Sequence, residues 1–285
     1  MSTLPTRPLG RTGYDVAVLA LGGVRHNELP DADCAAFVHR AIDLGINYID
    51  TAHGYKDSER KIGLVMAERR DEVFLATKSG RRDRAGITAE IEESFRSLRT
   101  DRIDLYQLHG LTYYSEVAQL TGPDGALKAV EQYIRDGSIR FVGITGHSNP
   151  DVLVRALSEY PFDTVLCALG AMHAAVHPFH EKVVPAARER GAAVLAMKVM
   201  GSALFGPCAD RAISFALSQE GVAAAVVGMD NVRQLERNVA IARAFRPMSR
   251  EEQDDFLNAA GQIVEEDFDK AWFLRPEHTR GPLES

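Results

Sequence analysis

The chain of 285 residues is 45% hydrophobic and 26% charged, an ordinary globular balance with enough length for one large core. Its net charge of −7 argues against nucleic acid or an anionic membrane as partner, and no apolar run approaches the ~20 residues that a bilayer span needs. Cys34, Cys167 and Cys208 have neither disulfide-framework nor zinc spacing, and the N-terminus lacks the apolar core of a signal peptide, so the expected compartment is the reducing cytoplasm.

Residues 7–23, RPLGRTGYDVAVLALGG, are punctuated by Pro and Gly and predict a hairpin leading into a core strand at 18–21. Further strands are predicted at 47–50, 73–78, 103–109, 140–145, 164–169, 193–199 and 223–228. These runs are almost continuously apolar, as parallel strands covered on both faces must be. Between them, Ile91, Phe95 and Leu98 recur at helical spacing, as do Leu235, Val239 and Ala242. Asn231 with Gln234, and Ser249 with Glu252, are capping-box patterns that open the last two helices. No composition shift or linker marks a second domain. Eight strands, each followed by a helix, predict the α/β class and a single (β/α)8 TIM barrel over residues 1–285, with an N-terminal hairpin and an extra helix and tail from about 249.

Residues 45–63, GINYIDTAHGYKDSERKIG, carry the most information about function. A short apolar strand ends on Asp50, a polar loop holds Tyr55, and a helix opens near Asp57 and Ser58. Two further strands end on Lys78 and His109, and all such strand ends lie on one face of a parallel barrel. A tyrosine acts as a general acid only when its pKa of ~10 is pulled toward neutrality, and a nearby ammonium does this. A carboxylate holds that ammonium in place, and a histidine orients a carbonyl oxygen or shuttles its proton. Tyr55, Lys78, Asp50 and His109 supply these roles. They suit proton delivery to a carbonyl oxygen while a cofactor, not a side chain, delivers hydride to carbon.

These residues resemble the signature of the aldo-keto reductase superfamily, Gly-x-x-x-x-Asp-Thr-Ala, a loop tyrosine, then Glu-x-x-x-Gly. Here they are Gly45, Asp50, Thr51, Ala52, Tyr55, Glu59 and Gly63, followed by Lys78 in LATKSG and His109 in DLYQLHG. The resemblance covers about residues 7–245. It implies a catalytic tetrad of Asp50, Tyr55, Lys78 and His109. It also implies an extended nicotinamide cofactor, NADP(H) before NAD(H), contacted by Thr145, Gly146, His147, Met197, Lys198, Gly201, Gly228, Asn231, Arg233, Gln234 and Asn238. Several of these positions depart from the family pattern. Thr145-Gly146-His147 stands where many members have Ser-Asn, and Met197 stands for the tyrosine that stacks on nicotinamide. Gly228 and Gln234 stand for the usual lysine and arginine, and Asp230 would repel a phosphate dianion. The segments GITGHS and LAMKVMG resemble a less-studied branch, some of whose members carry a C-terminal iron–sulfur region. No cysteine follows Cys208, so that region is lacking.

The implied activity is interconversion of an aldehyde or ketone with its alcohol, without a metal. A non-catalytic cofactor-binding or regulatory protein on the same barrel is the alternative, and the intact tetrad argues against it. A metal-dependent barrel enzyme needs clustered His and carboxylate ligands. His173, His177 and His180 are spaced for a helix face, but Pro178 interrupts a helix there. His53 is a candidate to face the pocket, and Arg81, Arg82 and Arg84 read as a solvated loop run. The substrate-facing loops are expected at 22–29, 111–120 and 170–179. Trp272 and Phe273 are expected to cover the barrel mouth as a lid.

Overall fold

The computed structural model describes residues 3–174, 177 and 179–266. Its centre is a closed parallel barrel of β3 (Leu19–Gly22), β4 (Tyr48–Asp50), β5 (Phe74–Ser79), β6 (Ile103–Leu108), β7 (Ile139–Gly146), β8 (Thr164–Ala168), β9 (Ala193–Met197) and β10 (Val222–Gly228), with β10 pairing back onto β3. The expected TIM barrel is therefore present. The hairpin is also present, as β1 (Thr6–Pro8) antiparallel to β2 (Asp15–Ala17). It contributes Val16, and its turn contributes Leu9, to the apolar cluster inside the barrel.

Alternation along each strand decides which residues reach the barrel interior. Phe74 and Ala76 of β5 belong to the interior cluster, and Leu75 between them packs under the helices. Lys78 continues the inward row. In β6, Leu105 is inward and Tyr106 outward, so Gln107 and His109 fall on the inward row. Tyr48 of β4 stacks on Phe74 at 5.4 Å between ring centroids, and Asp50 lies two residues farther along the same face. Apolar side chains thus dominate the lower barrel, and the buried Asp50–Lys78 ion pair lies toward its C-terminal mouth.

The outer layer is α1 (Asp31–Asp43), α2 (Ser58–Arg69), α3 (Arg84–Leu98), α4 (Tyr114–Thr121), α5 (Ala126–Asp136), α6 (Pro150–Glu159), α7 (Ala171–Ala174), α8 (Phe179–Glu189), α9 (Ala209–Ser218) and α10 (Val232–Arg243). After it comes α11 (Arg250–Glu266), the expected extra helix. One helix per strand was the sequence expectation, but β6 and β8 are each followed by two. Residues 111–120, expected as a loop, are helical from Tyr114 onward, and Glu116 caps that helix, α4. Its carboxylate accepts from the N–H groups of Thr112 (2.7 Å) and Tyr113 (2.9 Å). At α11 the capping box forms as expected, Ser249 and Glu252 each accepting from the other's N–H. At α10 it forms only in part. Asn231 Oδ1 accepts from Gln234 N–H at 2.9 Å, but Gln234 Oε1 reaches back to the N–H of Asp230 at 2.8 Å. Trp272 and Phe273 lie outside the described residues, and so does the expected lid. No helix among the described residues is long and apolar enough to cross a membrane.

Candidate active site

Asp50 and Lys78, at the ends of β4 and β5, are 3% and 1% exposed. A buried ion pair survives only when its remaining polar atoms are satisfied, and here they are. Lys78 Nζ donates to Asp50 Oδ2 and to the carbonyl oxygen of Thr51, both at 2.6 Å. Asp50 Oδ1 accepts from Gln107 Nε2 at 2.8 Å. Gln107 was missed as a site residue. The signal was present, because it lies two residues before His109 and so shares its inward row.

Burial alone pulls the Lys78 ammonium down, but the charges of Asp50 and Tyr55 and its hydrogen bonds to both more than offset this, leaving it raised and charged. Lys78 Nζ lies 4.8 Å from the centre of the Tyr55 ring. The His109 ring stands edge-on to Tyr55, with centroids 5.6 Å apart and planes at 80°. Burial, then the charges of Lys78, His147 and Arg82, pull His109 down to about 3, so its imidazole is neutral. The structure therefore brings Asp50, Tyr55, Lys78 and His109 together at one mouth of the barrel.

The loop carrying Tyr55 is fixed from below. Tyr55 N–H donates to Ala52 O at 3.0 Å, and Ser58 N–H donates to Tyr55 O at 2.9 Å. Thr51 Oγ1 donates to Ser58 Oγ, which donates to Gly23 O, both at 2.8 Å. A Cβ on Gly23 would come within 2.7 Å of Ser58 Oγ, so only glycine admits this crossing of loops. Glu59, 4% exposed, accepts from Thr77 Oγ1 at 2.5 Å. Burial pushes its carboxyl up, against the hydrogen bonds of Thr77 and Ser94.

The structure places two neighbouring residues, His53, a candidate to face the pocket, and Arg82, expected in a solvated run. His53 does not line the cavity at Tyr55. Its ring nitrogens lie 3.7 Å from Glu59 and 3.9 Å from Glu90. Arg82 is not a solvated loop residue. Its side chain is 13% exposed and clamps two loops, donating to Glu116 Oε1 and to His109 O, each at 2.8 Å.

A cavity of about 700 Å³ runs from Asp50 and Tyr55 across the mouth to the start of α10. Of the residues expected at a cofactor, Met197, Lys198, Gly228, Gln234 and Asn238 line it. Lys198 follows the end of β9 with φ 60°, and burial pulls its ammonium down. Thr145, Gly146, His147, Gly201, Asn231 and Arg233 do not line the cavity. Thr145 Oγ1 instead accepts from Gly110 N–H at 2.8 Å, and a Cβ on Gly146 would come within 2.9 Å of Leu111 O, so both fix the loop after β6. Gly201, with φ 52°, packs against Met172. Arg25 and Arg237, not among the expected site residues, do line the cavity. His173 is fully buried, its ring 6.4 Å from that of His177. Among the described residues no group of three or more His, Cys, Asp or Glu is placed to hold a metal ion.

Comparison with known proteins accords with this arrangement. The chain is 33% identical over 157 residues to the uncharacterized oxidoreductase YqkF of Bacillus subtilis, a match spanning 49% of this chain and 48% of that one. It is 25% identical over 301 residues to L-galactose dehydrogenase of Arabidopsis thaliana, covering 89% and 92% of the two chains. It is 29% identical over 228 residues to D-threo-aldose 1-dehydrogenase of a Pseudomonas species, covering 66% and 68%. In fold it matches the holo form of an aldo-keto reductase from Bacillus halodurans with a TM-score of 0.76, over 90% of this chain and 96% of that one at 23% identity. The model of the aldo/keto reductase family matches residues 18–207, and with the barrel and its strand-end residues in view the chain belongs to that family of oxidoreductases.

Proposed function

We propose that this protein interconverts aldehydes or ketones with alcohols using NAD(H) or NADP(H), with Tyr55 as general acid and base. The observation that carries the reading is Tyr55 at one end of the long cavity, directly over the buried Lys78–Asp50 pair. The cavity suits a dinucleotide in volume and in chemistry. It is within the usual range of ligand pockets, and it carries Lys198 along its length and Gln234, Arg237 and Asn238 at its far end. A bound reduced nicotinamide supplies the hydride that no side chain can.

The chain's own residues handle the proton. The Tyr55 hydroxyl donates to the carbonyl oxygen as negative charge develops there. Lys78, hydrogen-bonded to Tyr55, stabilises the phenolate that remains, and Asp50 keeps the ammonium in place. His109 is neutral, so it keeps one N–H to orient the carbonyl oxygen without competing as an acid. In the oxidative direction the Tyr55 phenolate accepts the proton from the alcohol. Two relatives are named as dehydrogenases of L-galactose and of D-threo-aldoses, which makes sugars the first alcohols to try.

The test is turnover of an aldehyde, ketone and aldose panel by the intact chain and by Tyr55→Phe. The variant loses one oxygen and little volume, so it should fold and bind cofactor normally. Turnover should fall by at least the ~10²–10⁴-fold typical of general acid catalysis. Near-normal turnover in a folded Tyr55→Phe chain would refute the mechanism. Tight cofactor binding with no turnover of any substrate would favour the binding-protein alternative.

A further inference from the structure

The two nicotinamide dinucleotides differ only at the adenosine ribose, where one carries a 2′-phosphate. With the nicotinamide at Tyr55, that ribose falls at the α10 end of the cavity, among Arg25, Gly228, Asp230, Gln234, Arg237 and Asn238. We propose that this end of the cavity selects NAD(H) over NADP(H), and that Asp230 is the discriminating residue. The inference rests on the dinucleotide reading above and reverses the sequence expectation of NADP(H).

A 2′-phosphate needs donors with capacity to spare, and both arginines here already have partners. Arg25 Nε pairs with Asp230 Oδ1 at 2.9 Å. Arg237 donates to Gly206 O at 2.8 Å and to Pro207 O at 3.2 Å, holding the turn before α9. Two of the backbone N–H groups around the helix start are taken by side chains, which leaves fewer for a phosphate. Gln234 Oε1 takes the N–H of Asp230 at 2.8 Å, and Asn231 Oδ1 takes that of Gln234 at 2.9 Å. Gln234 Nε2 also donates to Asp230 Oδ2 at 3.2 Å, which fixes the carboxylate at the cavity edge. Arg233, the remaining cation of the first turn, is exposed and does not line the cavity.

Arg25 could leave Asp230 for a phosphate, because exposed ion pairs are weak. That exchange would strand the Asp230 carboxylate beside a dianion, and like charges in proximity oppose binding. A ribose 2′-hydroxyl has the opposite relation to the site, because it donates a hydrogen bond to a carboxylate.

The experiment is calorimetric titration of the full chain with NAD+, NADP+, ADP-ribose and 2′-phospho-ADP-ribose. The last two report the adenosine end alone. NAD+ and ADP-ribose should each bind at least ~10-fold more tightly than their phosphorylated partners, and the gap should narrow as salt screens the repulsion. Asp230 is 43% exposed, so Asp230→Asn and Asp230→Arg should fold with unchanged melting temperature. The first should narrow the preference and the second reverse it, chiefly by tightening the phosphorylated ligands. Equal or tighter binding of NADP+ by the unaltered chain would overturn the selectivity alone. An unchanged ratio in Asp230→Arg would overturn the role of Asp230. Failure of all four ligands to bind would overturn the dinucleotide reading, and this inference with it.

Discussion

The Lys78 ammonium donates to Asp50 and to the Thr51 carbonyl and lies against the Tyr55 ring, so the Asp50, Lys78 and Tyr55 side chains form one contact unit. Losses of turnover in Tyr55→Phe and Lys78→Met should therefore not add in the double variant. The two single variants should differ in stability. Tyr55→Phe removes an oxygen at the cavity edge. Lys78→Met leaves Asp50 a buried, unpaired carboxylate, which should cost about 3–5 kcal/mol. Melting curves beside kinetics separate these effects, and equal stability of the two would contradict the buried-pair account. Gln107 tests the other carboxylate oxygen. Gln107→Leu leaves Asp50 Oδ1 without the Gln107 amide donor, which should cost about 1–3 kcal/mol in urea unfolding.

Gly63 of α2 shows why the second half of the sequence signature holds a glycine. A Cβ there would lie 2.1 Å from Ser97 O and 3.0 Å from Leu98 Cα, inside the C-terminal turn of α3. The α2 and α3 backbones touch at this point, and neither partner is a flexible side chain. Gly63→Ala should force the helices apart and destabilise by at least the ~1–3 kcal/mol typical of overpacking, despite alanine's better helix propensity. Because α2 begins at Ser58, which pins the loop of Tyr55, turnover should fall with stability in this variant. Wild-type melting in Gly63→Ala would show that the helix pair has slack that the structure does not contain.

Acid should weaken the molecule as a whole through its buried histidines. Burial, assisted by Lys61, pulls His26 down to about 4, and burial with Lys78 and others pulls His109 down to about 3, both from an ordinary 6.5. Below pH 6.5 the unfolded chain takes up protons at both sites and the folded chain does not. Stability is thus complete above about pH 6.5 and falls as pH drops toward 4, by roughly 1.4 kcal/mol per pH unit for each histidine. His173, also lowered by burial, acts in the same direction. Glu59 acts oppositely, because its raised carboxyl gains a proton in the fold first. Urea midpoints at pH 7.5 should exceed those at pH 5. A flat or rising trend toward pH 5 would show these histidines to be accessible to protons in the folded state.

By itself the sequence determined the barrel and pointed to the four residues that meet at its mouth. Its strands are apolar on both faces, its helices keep helical spacing, and Asp50, Lys78 and His109 close three strands in succession, so local pattern and topology pointed one way. Tertiary structure alone decided which polar residues meet. Gln107 became a partner of Asp50, and Arg82 a clamp between loops, through contacts across neighbouring strands. His53 meets Glu59 and Glu90. The same holds at the start of α10, where the capping pattern was legible but its closure was not. The Gln234 side chain accepts from the N–H of Asp230 rather than from that of Asn231, and Arg25 reaches over from the loop after β3. Loop side chains far apart in sequence meet only once the barrel has closed, and no spacing rule records which of them will.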